Sequence, residues 1–363
     1  MVANKLKKNI TLILSVALAL LISFIIIFFV SDEPLYAIKA FIVGPFSTSR
    51  RLGNLIEKTI PLIFTGLAAS IMFQAKQFSL IADGSFVIGG LAGTILALNL
   101  RLSPIATIPI ILVLSAIAGG LCAVIPAYLK SRWDTNEFVV SMMMNSILQL
   151  FAAYVLLNII RDPESGFVAS FLIPDQYHLS ILFSGTRIHF GLIIAMIVTI
   201  LAYILIYKTK LGYSIRMVGF NPNFAFYSGV KLSLIIFIVQ IIGGSISGLG
   251  GAVEILGMYD RFQWQTSPGL GFDGMTVAIL ASNNPIFVPI GALFIAYIRT
   301  GADVMARTSQ VPNEMVYIIQ GLVMIFVTAN LLVNLFKDRK IRCKMDTRLT
   351  NSVSKGGSHD TAI

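Results

Sequence analysis

Apolar runs of bilayer-crossing length recur along the chain, separated by short polar stretches. Crossing the hydrocarbon takes roughly 20 apolar residues per helix. Runs of that order lie at 10–30, 59–75, 79–100, 104–129, 137–160, 187–207, 232–257, 268–282, 286–306 and 312–335. They predict an all-α integral membrane protein of about ten transmembrane helices, an even number that returns both termini to one side. The eighth run, SPGLGFDGMTVAILA, is short and reads equally as a half-helix or a re-entrant segment, so the pattern spans eight to ten crossings.

Composition agrees with that solvent. Of 363 residues 56% are hydrophobic and 12% charged, against about 25% charged in soluble domains. The net charge of +10 does not point to nucleic acid, because the basic residues collect beside apolar runs and form no basic face. Lys5, Lys7 and Lys8 precede the first run, and seven more basic residues lie between Lys337 and Lys355. By the positive-inside rule both termini are expected in the cytoplasm. Lys76, Lys130, Arg132, Lys208, Lys210 and Lys231 then fall on the cytoplasmic side, while Arg50, Arg51 and Arg307 fall outside, against the rule. The first run is 21 residues long with no small-x-small site after it, longer than the roughly 7–15 of a cleavable signal, and reads as an uncleaved span. Residues 1–9 form a cytoplasmic N-terminus, 10–335 the transmembrane domain and 336–363 a basic cytoplasmic tail. Cys122 and Cys343 have no CxxC partner and indicate neither a disulfide framework nor a zinc site. Two longer polar loops remain, 161–186 expected outside and 208–231 expected inside.

Short segments recur in the same order. DGSFVI at Asp83–Ile88 is echoed by DGMTVA at Asp273–Ala278, GLAAS at Gly66–Ser70 by GLGGA at Gly248–Ala252, and NEFV at Asn136–Val139 by NEMV at Asn313–Val316. Five spans separate the two aspartates, so the second copy is expected to run in the opposite sense, the inverted repeat of many transporters. A carboxylate inside the bilayer costs about 2.5–3.5 kcal/mol on insertion scales, so Asp83 and Asp273 call for a partner. Each DG pair either caps a helix and shapes a pathway or touches substrate directly. Gly89, Gly90 and Gly93 are explained as well by close helix packing.

Enzymatic motifs are absent: there is no G-x-x-x-x-G-K-[ST], G-x-S-x-G or H-E-x-x-H, and His178, His189 and His359 are scattered. The chain is expected to be a transport subunit, not an enzyme, and to bind no metal or cofactor itself. Polar residues within the spans are Gln74, Asn136, Glu137, Asn145, Gln149, Gln240, Glu254, Asn283, Asn284 and Gln320. The amides serve either helix–helix hydrogen bonds or substrate. Glu254, ionisable and glycine-flanked, is the strongest single candidate. Pathway candidates are Asp83, Gly84, Asn136, Glu137, Asn145, Glu254, Phe272, Asp273 and Gly274. Phe262, Trp264 and Phe272 read as interfacial anchors or as a stacking surface. GFNPNFAFYSGV predicts a turn at Asn221-Pro222 followed by a short helix, since Pro is favoured in a first helical turn.

TNEFVVSMMMNSI (135–147), GYSIRMVGFNPNFAFYSGV (212–230), ISGLGGAVEILGMYDRF (246–262) and SPGLGFDGMTVAILASNNP (267–285) resemble the permease subunits of bacterial ABC importers of the ribose and branched-chain amino acid type, the nucleoside branch most of all. The resemblance runs from about residue 60 to residue 335. It implies a type II-like importer permease in the bacterial inner membrane, paired with a second, homologous or identical permease. Two cytoplasmic ATPases would use ATP and Mg, and an extracellular binding protein or lipoprotein would deliver substrate. It also implies that Arg216, Gly219, Asn221, Pro222, Ala225 and Gly229 form the coupling contact with the ATPase. FSLIADG departs from the family by placing Asp83 where relatives carry a glutamate-glycine pair, and Phe220 and Phe226 stand where charged or small residues are usual. Nucleosides are the expected substrate, with simple sugars or branched-chain amino acids as alternatives. An ion-coupled secondary transporter using Asp83, Glu254 and Asp273 is the competing class.

Overall fold

The computed structural model describes residues 18–29, 33–100, 102–183 and 185–309, with 318, 319, 321, 322, 325 and 326. Lys5, Lys7, Lys8, residues 10–17 and 30 of the first apolar run, most of the last run, the NEMV copy, Gln320 and the basic tail with Cys343 and His359 lie outside the described residues. Among the described residues the chain is helical with no β-strand. The helices are α1 (Leu18–Phe29), α2 (Pro34–Val43), α3 (Ser49–Gln74), α4 (Ala82–Asn99), α5 (Pro104–Cys122), α6 (Val124–Trp133) and α7 (Glu137–Asn158). They continue with α8 (Gly191–Lys208), α9 (Lys210–Phe220), α10 (Pro222–Tyr227), α11 (Leu232–Met258), α12 (Leu270–Leu280) and α13 (Val288–Thr308).

Seven stretches among the described residues are long and apolar enough to cross a bilayer, α5 and α6 together making one of them. The predicted eighth crossing is not one of the seven. Its helix, α12, has 11 residues and so rises about 16 Å, roughly half the hydrocarbon thickness. Both of its ends are set by backbone conformation. Gly269 enters it at φ 71° in the left-handed region, and Ser282 and Asn283 leave it at φ 51° and 58°. Irregular backbone at such depth is tolerated only inside protein, and α12 is mostly buried, packing on α3, α13 and α4.

Two further differences from the sequence pattern have physical causes. The second run begins not at 59 but at Ser49, where Thr48 caps the helix by accepting from Arg51 N at 3.3 Å. The charges that looked like a boundary are carried on α3 itself, with Lys58 paired to Asp303 of α13 and Glu57 buried. α2 has no counterpart among the predicted runs. It is only ten residues long and buries Ala37 and Phe41 against α13, where Tyr297 donates a hydrogen bond to the Ile42 carbonyl at 2.9 Å.

The core is built on α3, α4, α5, α11 and α12. α3 and α11 are antiparallel: Gly243 lies on Met72 and Gly250 on Phe64, so numbers rise on one helix as they fall on the other. α11 also packs on α4 and α5 at glycines. A Cβ on Gly89 would overlap the Gly248 backbone, which fits the packing reading of these residues. At the end where α3 starts and α11 finishes, the segment 159–190 folds over the bundle. It is tied by Ser170 N to the Phe262 carbonyl, Ile173 N to Asp260 and Leu179 N to Leu256, each at 2.9 Å. At the opposite end, α9 lies beside the end of α3 and α10 packs on α9 and α11.

Candidate functional site

Asp83 stands in the first turn of α4, 6% exposed, yet it caps a different helix. Its Oδ1 accepts from Gly271 N at 2.9 Å and its Oδ2 from Ser267 Oγ at 2.6 Å, and Ser267 Oγ accepts in turn from Gly269 N at 3.1 Å. The carboxylate thus takes up a free N–H at the start of α12, where the helix dipole favours negative charge. Gly271 allows this approach, since a Cβ there would lie 2.8 Å from the Asp83 N and Cα.

The start of α4 is held in turn by α7. Asn145 Oδ1 accepts from Gly84 N at 3.0 Å and its Nδ2 donates to the Leu80 carbonyl at 2.8 Å, one turn from Ser141 Oγ, which accepts from Leu80 N at 2.9 Å. Residues 141 and 145 share a helix face, so α7 satisfies the irregular backbone before α4. Asp273 is buried in the first turn of α12 and pairs with Arg299 of α13. Gly274 lies against Thr65 of α3. Phe272 is half-buried on the same turn.

Asn136 and Glu137 are not grouped with these residues. Asn136 is the N-cap of α7, accepting from Phe138 N at 3.0 Å, and Glu137 pairs with Lys130 at 3.0 Å and accepts from Phe78 N at 3.3 Å. Their polar atoms close a helix end, two turns from Asn145. The aromatic residues are not interfacial anchors either. Phe262 and Trp264 are 0% and 7% exposed, and Trp264 stacks on Phe86 of α4 with ring centroids 5.3 Å apart and edges toward Tyr259 and Phe262. Glu254 is buried on α11, and its Oε2 has no hydrogen-bond partner among the described residues.

At the other end, the predicted turn and short helix are present. Asn221 Oδ1 accepts from Asn223 N and Phe224 N at 3.1 and 3.2 Å, with Pro222 opening α10. Ala225 is buried and Gly229 leaves the turn at φ 83°. Gly219 sits directly on the Gln74 carbonyl at the end of α3, and the Arg216 guanidinium lies 5.1 Å above the Tyr207 ring. Phe220, Phe224, Phe226 and Tyr227 are exposed.

Sequence reasoning missed Glu57, Ser267 and Arg299. Arg299 carried a signal, because a charge inside an apolar run is a functional hypothesis by default, whereas Glu57 stands just ahead of the predicted second run. Ser267 carried none, since its contact spans 184 residues.

A half-length helix, α12, packed among bilayer-length helices of a glycine-lined bundle and held at its start by α4, is the kind of arrangement found in many multi-pass transporters. The match to the family described as the branched-chain amino acid transport system / permease component covers residues 51–328, and the chain belongs to that family. It is 29% identical to a glucose ABC transporter permease protein of Haloferax volcanii, over 93% of this chain and 91% of that one. It is 29% identical to the guanosine ABC transporter permease protein of Bacillus subtilis, over 79% and 83%. A nucleoside ABC transporter permease protein of Lactococcus lactis is 25% identical over 91% and 93%. Family membership makes the chain a transport subunit without catalytic activity of its own. It implies an ATPase that uses ATP and a substrate-binding protein, and it overturns the ion-coupled alternative.

Proposed function

We propose that this chain is the permease subunit of an ATP-driven nucleoside importer in a bacterial plasma membrane. The observation that carries the substrate class is that two of the three relatives above move a guanosine or nucleoside cargo. The glucose permease of similar identity favours simple sugars as the second reading. Both termini are cytoplasmic and 159–190 faces outside, in keeping with the lysines and arginines near α9, α10 and the α6–α7 turn. A second, homologous or identical permease completes the channel, and an extracellular binding protein feeds it.

The inverted repeat is supported by how the halves interlock. α3 and α11, which carry the GLAAS and GLGGA segments, are antiparallel. α3 packs on α12 while α11 packs on α4, so exchanging the copies exchanges the two contacts. The Asp83 bond to Gly271 joins the starts of α4 and α12. In this reading Asp83, Gly84, Asn145, Asp273 and Gly274 shape the pathway by fixing the starts of α4 and α12, and Phe272 is left as the residue free to meet substrate. Arg216, Gly219, Asn221, Pro222, Ala225 and Gly229 form the coupling element, with α10 presenting its exposed aromatics to the ATPase.

The test is uptake of radiolabelled inosine and uridine in cells carrying the permease, its ATPase and its binding protein, with and without a hydrolysis-dead ATPase. Uptake that needs a live ATPase and is competed by nucleosides, not by ribose or leucine, supports the proposal. Transport of ribose or glucose with no nucleoside uptake rejects the substrate and retains the importer.

A further inference from the structure

One pair of buried acids has no part in the half-helix contacts. The antiparallel register of α3 and α11 sets Gly243 on Met72 and Gly250 on Phe64. Continued by seven residues, that register sets 257 level with 57, and the Glu254 and Glu57 carboxyls interact through their charges. Both side chains are buried, at 3% and 7% exposure, and Glu57 Oε1 and Glu254 Oε2 each lack a hydrogen-bond partner among the described residues.

The surrounding groups do not neutralise them. On α3, Lys58 pairs with Asp303 of α13, and on α13 Arg299 pairs with Asp273 of α12. Asp83 of α4 is occupied by α12. From the segment before α8, Arg187 faces Glu57 from an exposed position, where water screens it. Tyr259 faces Glu254 from the segment after α11 and offers only a phenol. His189 lies against Gly257, fully buried. Its Nδ1 accepts from Gly191 N at 3.1 Å, which puts the proton of a neutral ring on Nε2, itself without a partner.

Two like charges this close, away from water, cannot both stay ionised. We propose that Glu57 and Glu254 form a proton-binding site beneath the 159–190 segment and hold a single proton between them. One carboxyl is then the neutral acid while the other stays ionised, and the neutral His189 ring lies one turn from Glu254, against Gly257. The proton comes from water at that end of the bundle and returns to it, with no other bond made or broken. Because α3 holds α12 and α11 holds α4, loading and emptying the site bear on the helices that hold both α12 and α4.

The test is infrared difference spectroscopy on the complete complex in lipid nanodiscs as pH is stepped, following the D2O-sensitive carbonyl band of protonated carboxyls. No substrate or ATP is added, so the outcome is independent of the nucleoside reading. The wild type is expected to show a band at neutral pH that titrates in two separated steps and is absent from the Glu57→Gln/Glu254→Gln double variant. Glu57→Gln alone is expected to move the titration of Glu254 by about one pH unit or more, as for coupled sites. A wild type with no neutral-pH band, or with one unsplit step, overturns the proposal even if a variant fails to fold. So does a Glu254 titration that ignores Glu57→Gln.

Discussion

Removing the Asp83 carboxylate separates a structural cap from a substrate contact. In Asp83→Ala the Gly271 N–H and the Ser267 hydroxyl lose their acceptor in a buried place. Hydrogen bonds to a charged group are worth about 1.5–3 kcal/mol each, so the loss is about 3–6 kcal/mol. Asp83→Asn keeps an oxygen for the Gly271 N–H and offers an amide to Ser267 Oγ, and since asparagine caps nearly as well as aspartate the loss is only about 1 kcal/mol. At about 2–4 °C per kcal/mol for a large domain, the alanine variant melts roughly 10 °C lower than the wild type and the asparagine variant only a few degrees lower. The assay is thermal melting of the solubilised permease by fluorescence-detected size exclusion, beside the KM for uptake in cells. An alanine variant that melts like the wild type while its KM rises severalfold would refute the cap and make Asp83 a substrate ligand.

The glycine that lets this carboxylate approach gives a companion test: Gly271→Ala forces its Cβ into Asp83, and the yield of monodisperse protein should collapse while Gly166→Ala, whose Cβ meets nothing within 4 Å, leaves it unchanged. Arg299→Leu removes the cation that Asp273 pairs with, and breaking a buried pair costs about 3–5 kcal/mol; the double variant Arg299→Leu/Asp273→Leu should recover much of the melting temperature. Asn221→Ala removes the cap of α10, worth about 0.5–2 kcal/mol, and is expected to lower uptake and substrate-stimulated ATP hydrolysis while the melting temperature falls by only a few degrees. The Arg261 guanidinium, with the Glu164 N–H, holds the Asp162 carboxyl below its usual range. Its stabilising effect is therefore present at neutral pH and lost as pH falls through the lowered folded value. Limited proteolysis from pH 7 downward should find the 159–190 segment protected until strongly acid conditions, and Asp162→Asn should remove the pH-dependent step.

How far the chain could be read in advance follows from the range of each interaction. Hydropathy is local, and it located the crossings that α4, α5, α7, α8 and α11 make. Capping is nearly local, and Asn221-Pro222 announced α10. The start of α3 was missed because Arg50, Arg51, Glu57 and Lys58 look like a boundary until Asp303 is known to lie beside Lys58. Asn145 looked like a substrate ligand because the backbone that occupies it, Leu80 and Gly84, lies more than 60 residues away. In a bilayer every polar group needs a partner, so an intramembrane carboxylate in a sequence announces that a partner exists without saying whether it is cargo or chain. For Asp83 the partner is the start of α12. For Glu57 and Glu254 no described side chain bonds the free Oε1 and Oε2 atoms, and the same rule leaves them for a proton.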